Sequence, residues 1–416
     1  MKRQILFFFK GCRLKEKAFS YIIKKKPQRK NPVEPRHGVM RMNVLILSTA
    51  TGQGHNSAAL AVAASLRARG CRAKVLDVLK LNHGGASGRV SRLYAGVTLR
   101  APRFFHGLYR IGEQVASPGG RSPVYFMNTL YAERLLGEIR RFRPDLIVCT
   151  HIFSAQAVTF LRKRRGLAAP AAGVATDYTC IPFWEESALD GYVIPSPALA
   201  GEFAARGVPA EKLVPIGIPV RPEFLTRAPK EEARRSFGLT APHIFLVMGG
   251  SMGYGDIDRT AKALAAAVPD SQTVVLCGTN EKLWRRMAAL RNVLPMRYTG
   301  RVGVLMDAAD VVLTKPGGLS STEAVTKRVP VVLTRPIPGC EQRNAEFLSG
   351  SGAAVFAGST RGAVAAAGRL AFSERAAREM ILAQERLRPD GTDGRIADYL
   401  LSLAGRSSSR LSAREG

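Results

Sequence analysis

The segment Thr314-Lys315-Pro316-Gly317-Gly318-Leu319-Ser320-Ser321-Thr322-Glu323 follows the short run Ala309-Asp310-Val311-Val312-Leu313 and opens a helix-like stretch. A buried strand, a glycine turn and a helix N-terminus make an anion site, because free backbone N–H groups there can cradle a diphosphate. Glu323, about one turn into that helix, can accept hydrogen bonds from a ribose. The plainer alternative is a strand-to-helix turn in which Glu323 is a first-turn charge favoured by the helix dipole. A second glycine-rich turn stands near the start of the chain, in Val44-Leu45-Ile46-Leu47-Ser48-Thr49-Ala50-Thr51-Gly52-Gln53-Gly54-His55. Two such units in one chain predict two nucleotide-fold domains facing each other.

Outward from these turns the chain alternates strands and helices. Strands are expected at 43–50, 71–78, 145–150, 171–176 and 191–195, with helices at 57–69 and 154–164. Pro215, Pro219 and Pro222 stiffen a crossover near 216–222, the kind of segment that separates domains. Beyond it strands are expected at 243–248, 272–277, 309–314 and 330–334, with a short one ending at Gly300. A charged helical stretch follows at 373–404, and a Ser/Arg-rich tail from Arg406 is expected to be disordered. The fold class is α/β: two Rossmann-like doubly wound domains across a cleft. The expected divisions are a basic extension at 1–41, a first domain at 42–218, a second at 219–390, and a helix with a disordered tail at 391–416.

The 416 residues are 46% hydrophobic and 23% charged, a globular balance, but the net charge is +30. Such a charge calls for an anionic partner, either nucleic acid or an anionic lipid surface. No helix-turn-helix, zinc or RNA-recognition signature accompanies it, so nucleic-acid binding rests on charge alone. Six cysteines carry no C-x-x-C pair and no histidine cluster, which argues against a disulfide framework or a zinc site. No apolar run approaches the length of a membrane-spanning helix. Residues 1–41 hold 13 lysines and arginines against two glutamates. This stretch reads as a basic surface anchor using Phe7 to Phe9, as a disordered arm, or as sequence preceding a true start at Met40 or Met42. Residues 88–131 mix aromatics with arginines, among them Phe104, Phe105, Tyr125 and Arg121. They read as a lipid-facing lid or as the core of amphipathic helices. Arg140, Arg141, Arg143 and Lys163 to Arg165 extend the basic face.

Several segments resemble those of one family in their order along the chain. They are Gly52-Gln53-Gly54-His55, Thr176-Asp177-Tyr178, Met248-Gly249-Gly250-Ser251-Met252-Gly253, Lys315-Pro316-Gly317-Gly318 and Pro338-Gly339-Cys340-Glu341-Gln342-Arg343-Asn344. The chain is similar over about residues 42–390 to the monogalactosyldiacylglycerol synthase and processive diacylglycerol glucosyltransferase group. These are relatives of the enzyme that adds N-acetylglucosamine to lipid I. The resemblance implies a GT-B fold, a UDP-sugar donor, inversion at the anomeric carbon, no required metal or cofactor, and a membrane lipid acceptor. It implies transfer of glucose or galactose to diacylglycerol at the cytoplasmic face of an anionic membrane. The alternatives are transfer of N-acetylglucosamine to a polyprenyl-linked acceptor and a non-enzymatic, basic nucleic-acid-binding protein. In one respect the chain departs from the pattern: Cys340 stands where the family usually carries a glutamine expected near the donor hexose, so the sugar is left open. The oligomeric state is not readable.

On this basis the donor-binding set is Gly250, Ser251, Arg301, Lys315, Pro316, Gly317, Gly318, Leu319, Ser320, Glu323, Glu341, Gln342 and Asn344. Arg301 lies near the uracil or is a solvated surface arginine. Glu341 and Asn344 share one helix face, so they bind hexose hydroxyls or serve as caps. Gly52, Gly54, His55 and Tyr178 form the acceptor side. An inverting transfer needs a base to take the acceptor proton. His55 is the first candidate, being poised near neutral pH; Asp177 is its orienting partner or its rival, and His151 is a third candidate.

Overall fold

The computed structural model describes residues 42–49, 53–81, 121–249, 256–336 and 339–415. Residues 42–416 form one compact unit. The expected basic extension at 1–41 and most of the aromatic–arginine stretch lie outside the described residues.

The first sheet contains β1 (Asn43–Ser48), β2 (Arg72–Asp77), β3 (Leu146–Cys149), β4 (Ala171–Val174), β5 (Gly191–Ile194) and β6 (Leu213–Pro215), in the order β2-β1-β3-β4-β5-β6. The second contains β7 (His243–Met248), β8 (Ser271–Gly278), β9 (Val293–Arg297), β10 (Val311–Thr314), β11 (Val331–Leu333) and β12 (Val355–Phe356), in the order β12-β11-β10-β7-β8-β9. Every pairing is parallel. Parallel strands are covered on both faces and read as unbroken apolar runs, as Val44 to Leu47 and Ile244 to Met248 do, all buried.

Both sheets reverse direction beside their first strand, after β2 in one and after β9 in the other. The crevice at the carboxyl ends of the two strands flanking such a reversal is where open α/β sheets bind ligands. In the first half those strands are β1 and β3, which present His55, Thr150 and His151. In the second they are β7 and β10, which end level because Thr314 pairs with Met248; they present Gly249 and the Lys315–Gly318 turn.

Side chains alternate across each sheet. Val44 and Ile46 enter a core under the first sheet's outer face, whereas Leu45 and Leu47 enter a larger one. That larger core also takes Ile244, Leu246 and Val312 from the second half, joined through Tyr178, Ile218, Val220, Phe224 and Leu319. The two halves are therefore continuous in apolar packing where they meet.

The chain returns to the first half at its end. Ile396, Ala397, Leu400 and Ala404 of the Thr392–Glu415 helix pack in one core with Val44 and Ile46. The tail from Arg406, expected to be disordered, instead continues this helix to Glu415. A docked helix is already nucleated, so each further residue costs only propagation. The short strand expected to end at Gly300 is β9, ending at Arg297.

Two chain crossovers join the halves, and they are bolted together. Gly217 has φ 134, a left-handed region that only glycine adopts freely, and a Cβ there would lie 2.7 Å from Thr392 Cγ2. Asp393 accepts the Val220 amide at 2.8 Å and pairs with the Arg388 guanidinium. Both partners are buried, at 3% and 5% exposure. Removing one member of such a pair strands the other charge. Asp393→Ala is therefore expected to cost about 3–5 kcal/mol in chemical denaturation; a loss below about 1 kcal/mol would show that the pair does not hold the crossovers.

Candidate active site

The helix Gly318–Thr326 starts where β10 ends, with Gly317 at its N-cap. A Cβ on Gly317 would meet nothing within 4 Å, so this residue presents open backbone. Gly318 differs: a Cβ there would lie 2.0 Å from the carbonyl oxygen of Thr176 in the opposite half. Glycine at 318 is thus required by the approach of another backbone, in addition to whatever a ligand asks. Leu319 is buried and faces Gly54, whose Cβ would sit 3.7 Å from it, and Ser320 is half-buried.

Glu323 lies in the second turn of this helix and is 8% exposed. Its nearest cation is Arg221, at 4.0 Å, which also pairs with Glu223 at 2.8 Å. Burial raises the Glu323 carboxyl to about 8, against the pull of Arg221 and with some help from Glu223. The Arg221 Nε and the Ser321 hydroxyl are buried with no hydrogen-bond partner among the described residues. A poorly satisfied acid on the helix that follows an open glycine turn, and a poorly satisfied guanidinium beside it, are the features of a candidate site for a polar ligand. Sequence reasoning missed Arg221. Its one signal was a charge placed inside the apolar crossover Ile218-Pro219-Val220.

Lys315 forms an ion pair with Glu341, which is buried at the first turn of the helix Cys340–Gly350. Gly339 before it has φ 115. Gln342 donates to Glu346 at 2.8 Å on its own helix. Asn344 is fully buried: its Nδ2 donates to Asp177 Oδ1 at 2.9 Å and to the Pro316 carbonyl at 3.0 Å, and its Oδ1 accepts the Tyr178 amide at 2.7 Å. Arg301 is exposed, donates to Ser236 Oγ at 2.8 Å, and lies over the Phe237 ring at 4.3 Å. Gly250 and Ser251, expected beside the diphosphate, lie outside the described residues, as does Gly52.

Across the seam, His55 sits in the first turn of the helix Gln53–Arg67. Its Nδ1 lies 3.2 Å from the Thr150 carbonyl and 3.0 Å from Thr176 Oγ1. A carbonyl can only accept, so the hydrogen is assigned to Nδ1, which leaves the Nε2 lone pair free. Burial lowers the His55 pKa, opposed by the charge of Asp177 and the bond to Thr150. His151 meets it edge-on, with ring centroids 4.4 Å apart. The His151 Nδ1 accepts the Phe153 amide at 3.1 Å. Its pKa is held well below the usual histidine value by burial and by His55, which makes it a helix cap and neighbour and leaves His55 better placed as a base. Tyr178 is buried, with its hydroxyl 2.9 Å from Thr322 Oγ1 and its ring stacked on Phe347 at 5.3 Å. It faces the second half. Of the aromatic stretch that is described, Tyr125 and Tyr131 are core residues, and Phe126 is 60% exposed.

Comparison with known proteins follows this geometry. The monogalactosyldiacylglycerol synthase family model matches residues 55–220. A processive diacylglycerol beta-glucosyltransferase of Bacillus cereus (strain 03BB102) is 28% identical over 325 residues, covering 75% of this chain and 81% of that protein. Among solved structures, the glycotransferase of kitacinnamycin aligns with TM-score 0.62 at 17% identity over 88% of this chain and 100% of that one. The UDP-GlcNAc 2-epimerase of Neisseria meningitidis aligns with TM-score 0.59 at 15% identity over 87% and 100%. These likenesses establish the GT-B fold. An epimerase shares it, so the fold does not name the reaction, and the site must.

A buried acid that must ionise destabilises the fold that holds it. The folded-state pKa of Glu323 is raised, so the stability it contributes is present at low pH and is lost as pH rises from 4.5 through about 8. Above that point the loss is on the order of 5 kcal/mol. Glu323→Gln is expected to raise the melting temperature at pH 8.5 while weakening nucleotide binding about tenfold or more. A variant that melts lower and binds as before would contradict this reading.

Proposed function

We propose that the chain is a member of the monogalactosyldiacylglycerol synthase and processive diacylglycerol glucosyltransferase family, and that it transfers a hexose, glucose or galactose, from a UDP-sugar to the 3-hydroxyl of diacylglycerol with inversion. The observation that carries the proposal is the hydrogen bond that assigns the His55 hydrogen to Nδ1, leaving Nε2 as the basic nitrogen, at the seam where the Gly317-Gly318 turn abuts the first half. The base and the anion-binding turn then serve one reacting centre.

In this scheme UDP lies against the open backbone of Gly317 and the loop after β7. Glu323 receives the ribose hydroxyls, and Arg221 and Ser321 supply the unpartnered donors. The acceptor hydroxyl approaches from the first half. His55 Nε2 takes its proton as the oxygen attacks the anomeric carbon. The bond from that carbon to the β-phosphate oxygen breaks, and UDP departs with the electron pair. The positive end of the Gly318–Thr326 helix and the turn amides stabilise the new charge. The negative charge of Asp177 favours the imidazolium that forms. The protein's own groups supply each of these parts, without a required metal or cofactor.

The acceptor is a bilayer lipid, so the enzyme works at a membrane surface, on the cytoplasmic side where UDP-sugars are met. No helix of the described residues is long and apolar enough to cross a membrane. The net charge of +30 suits docking on anionic lipid,, which we prefer to nucleic acid as the anionic partner.

Release of UDP that requires both a UDP-hexose and diacylglycerol in anionic liposomes supports the proposal, and release with neither donor contradicts it. His55→Ala is expected to lower kcat at least about 100-fold. The base works as the neutral imidazole and its pKa is lowered, so activity persists at pH 6.5 and is lost only at lower pH, as the imidazole protonates. Asp177 raises the His55 pKa, so Asp177→Asn moves the acid limb to still lower pH; an upward movement would assign the limb to another group.

A further inference from the structure

Asn344 spends both amide hydrogens inside the protein. The orientation of its amide follows from its partners: the Tyr178 N–H only donates, while the Asp177 carboxylate and the Pro316 carbonyl only accept,. A hexose hydroxyl finds no spare hydrogen there in this closed arrangement. The same seam carries the Tyr178–Thr322 hydroxyl pair at 2.9 Å, the Tyr178–Phe347 stack, and Gly318 against the Thr176 carbonyl. Every one of these contacts joins the half that holds His55 and Asp177 to the half that holds the anion-binding turn.

We propose that Asn344, held by Tyr178, whose hydroxyl is in turn paired with Thr322, is a positioning residue for the reaction: it orients the Asp177 carboxylate, and it does so only when the two halves are shut. Asp177 in turn acts on His55, so the proton-accepting pair is completed by the donor-binding half. When the halves part, the Asp177 carboxylate loses the Asn344 hydrogen bond, and His55 loses a fixed negative neighbour. A base assembled only on closure spares the sugar nucleotide from attack by water while the cleft is open. This inference rests on the glycosyl-transfer reading, which it deepens.

A hexose ligand and a positioning residue make opposite predictions for Asn344→Leu. As a positioning residue, its loss lowers kcat about 100-fold while the ratio of UDP-hexose to UDP affinity, measured by equilibrium binding, stays as in the wild type. Collapse of that ratio, or an unchanged kcat, overturns the proposal. Tyr178→Phe and Thr322→Val remove single hydroxyls and test the clasp without emptying the core. Each is expected to lower kcat about three- to tenfold, with the double variant no worse than the more affected single, because the two share one bond. Strictly multiplicative losses overturn the clasp. If the wild type transfers no sugar, the premise itself has failed, and the clasp is then judged by small-angle scattering alone. A larger radius of gyration in the double variant supports it, and an unchanged one overturns it.

Discussion

The site depends on the contact between two backbones. The carbonyl oxygen of Thr176 stands 2.0 Å from where a Cβ at position 318 would be, so a glycine there sets how near the two sheets can come. With that approach allowed, Tyr178 reaches Thr322 and Phe347, Asn344 reaches Asp177, and Leu319 closes over Gly54. A side chain at 318 would push the halves apart and dissolve all of these at once. The bolted crossovers at Gly217 and Asp393 serve the same end by fixing where the halves can turn.

The same closeness explains why the site holds its polar groups at a disadvantage. Glu323, the Arg221 Nε and the Ser321 hydroxyl are buried without full partners among the described residues. Such strain persists only where surrounding packing overrides it, and it marks places prepared for a ligand. A ribose would offer Glu323 and Arg221 the hydrogen bonds that their own surroundings withhold.

Much of this was legible in the residues. β7 was expected at 243–248 and is found there, because a six-residue apolar run between turn signals has few alternatives. The glycine turn at 317–318 falls between a strand and a helix, as the residues predict. The edge strands β6, β9 and β12 were harder. β9 carries Pro295 inside its run, a residue that argues against a central strand and is tolerated at an edge. The helical tail was misread because docking of Ile396 and Leu400 on the first sheet is a long-range event that local composition does not report. For the same reason the internal partners of Asn344 were not legible: they lie 166 and 167 residues away in the chain. Gly318 read as making room for a phosphate when it also makes room for Thr176.

The account's central claim is that a base in one half and an anion-binding turn in the other act on one anomeric carbon, from opposite sides, with a lipid hydroxyl between them. The most direct test is the anomeric configuration of the product, read by proton magnetic resonance after incubation of diacylglycerol with an α-linked UDP-hexose. In-line displacement predicts a β-linked hexosyldiacylglycerol. An α-linked glycolipid, or free hexose as the sole sugar product, would contradict the claim.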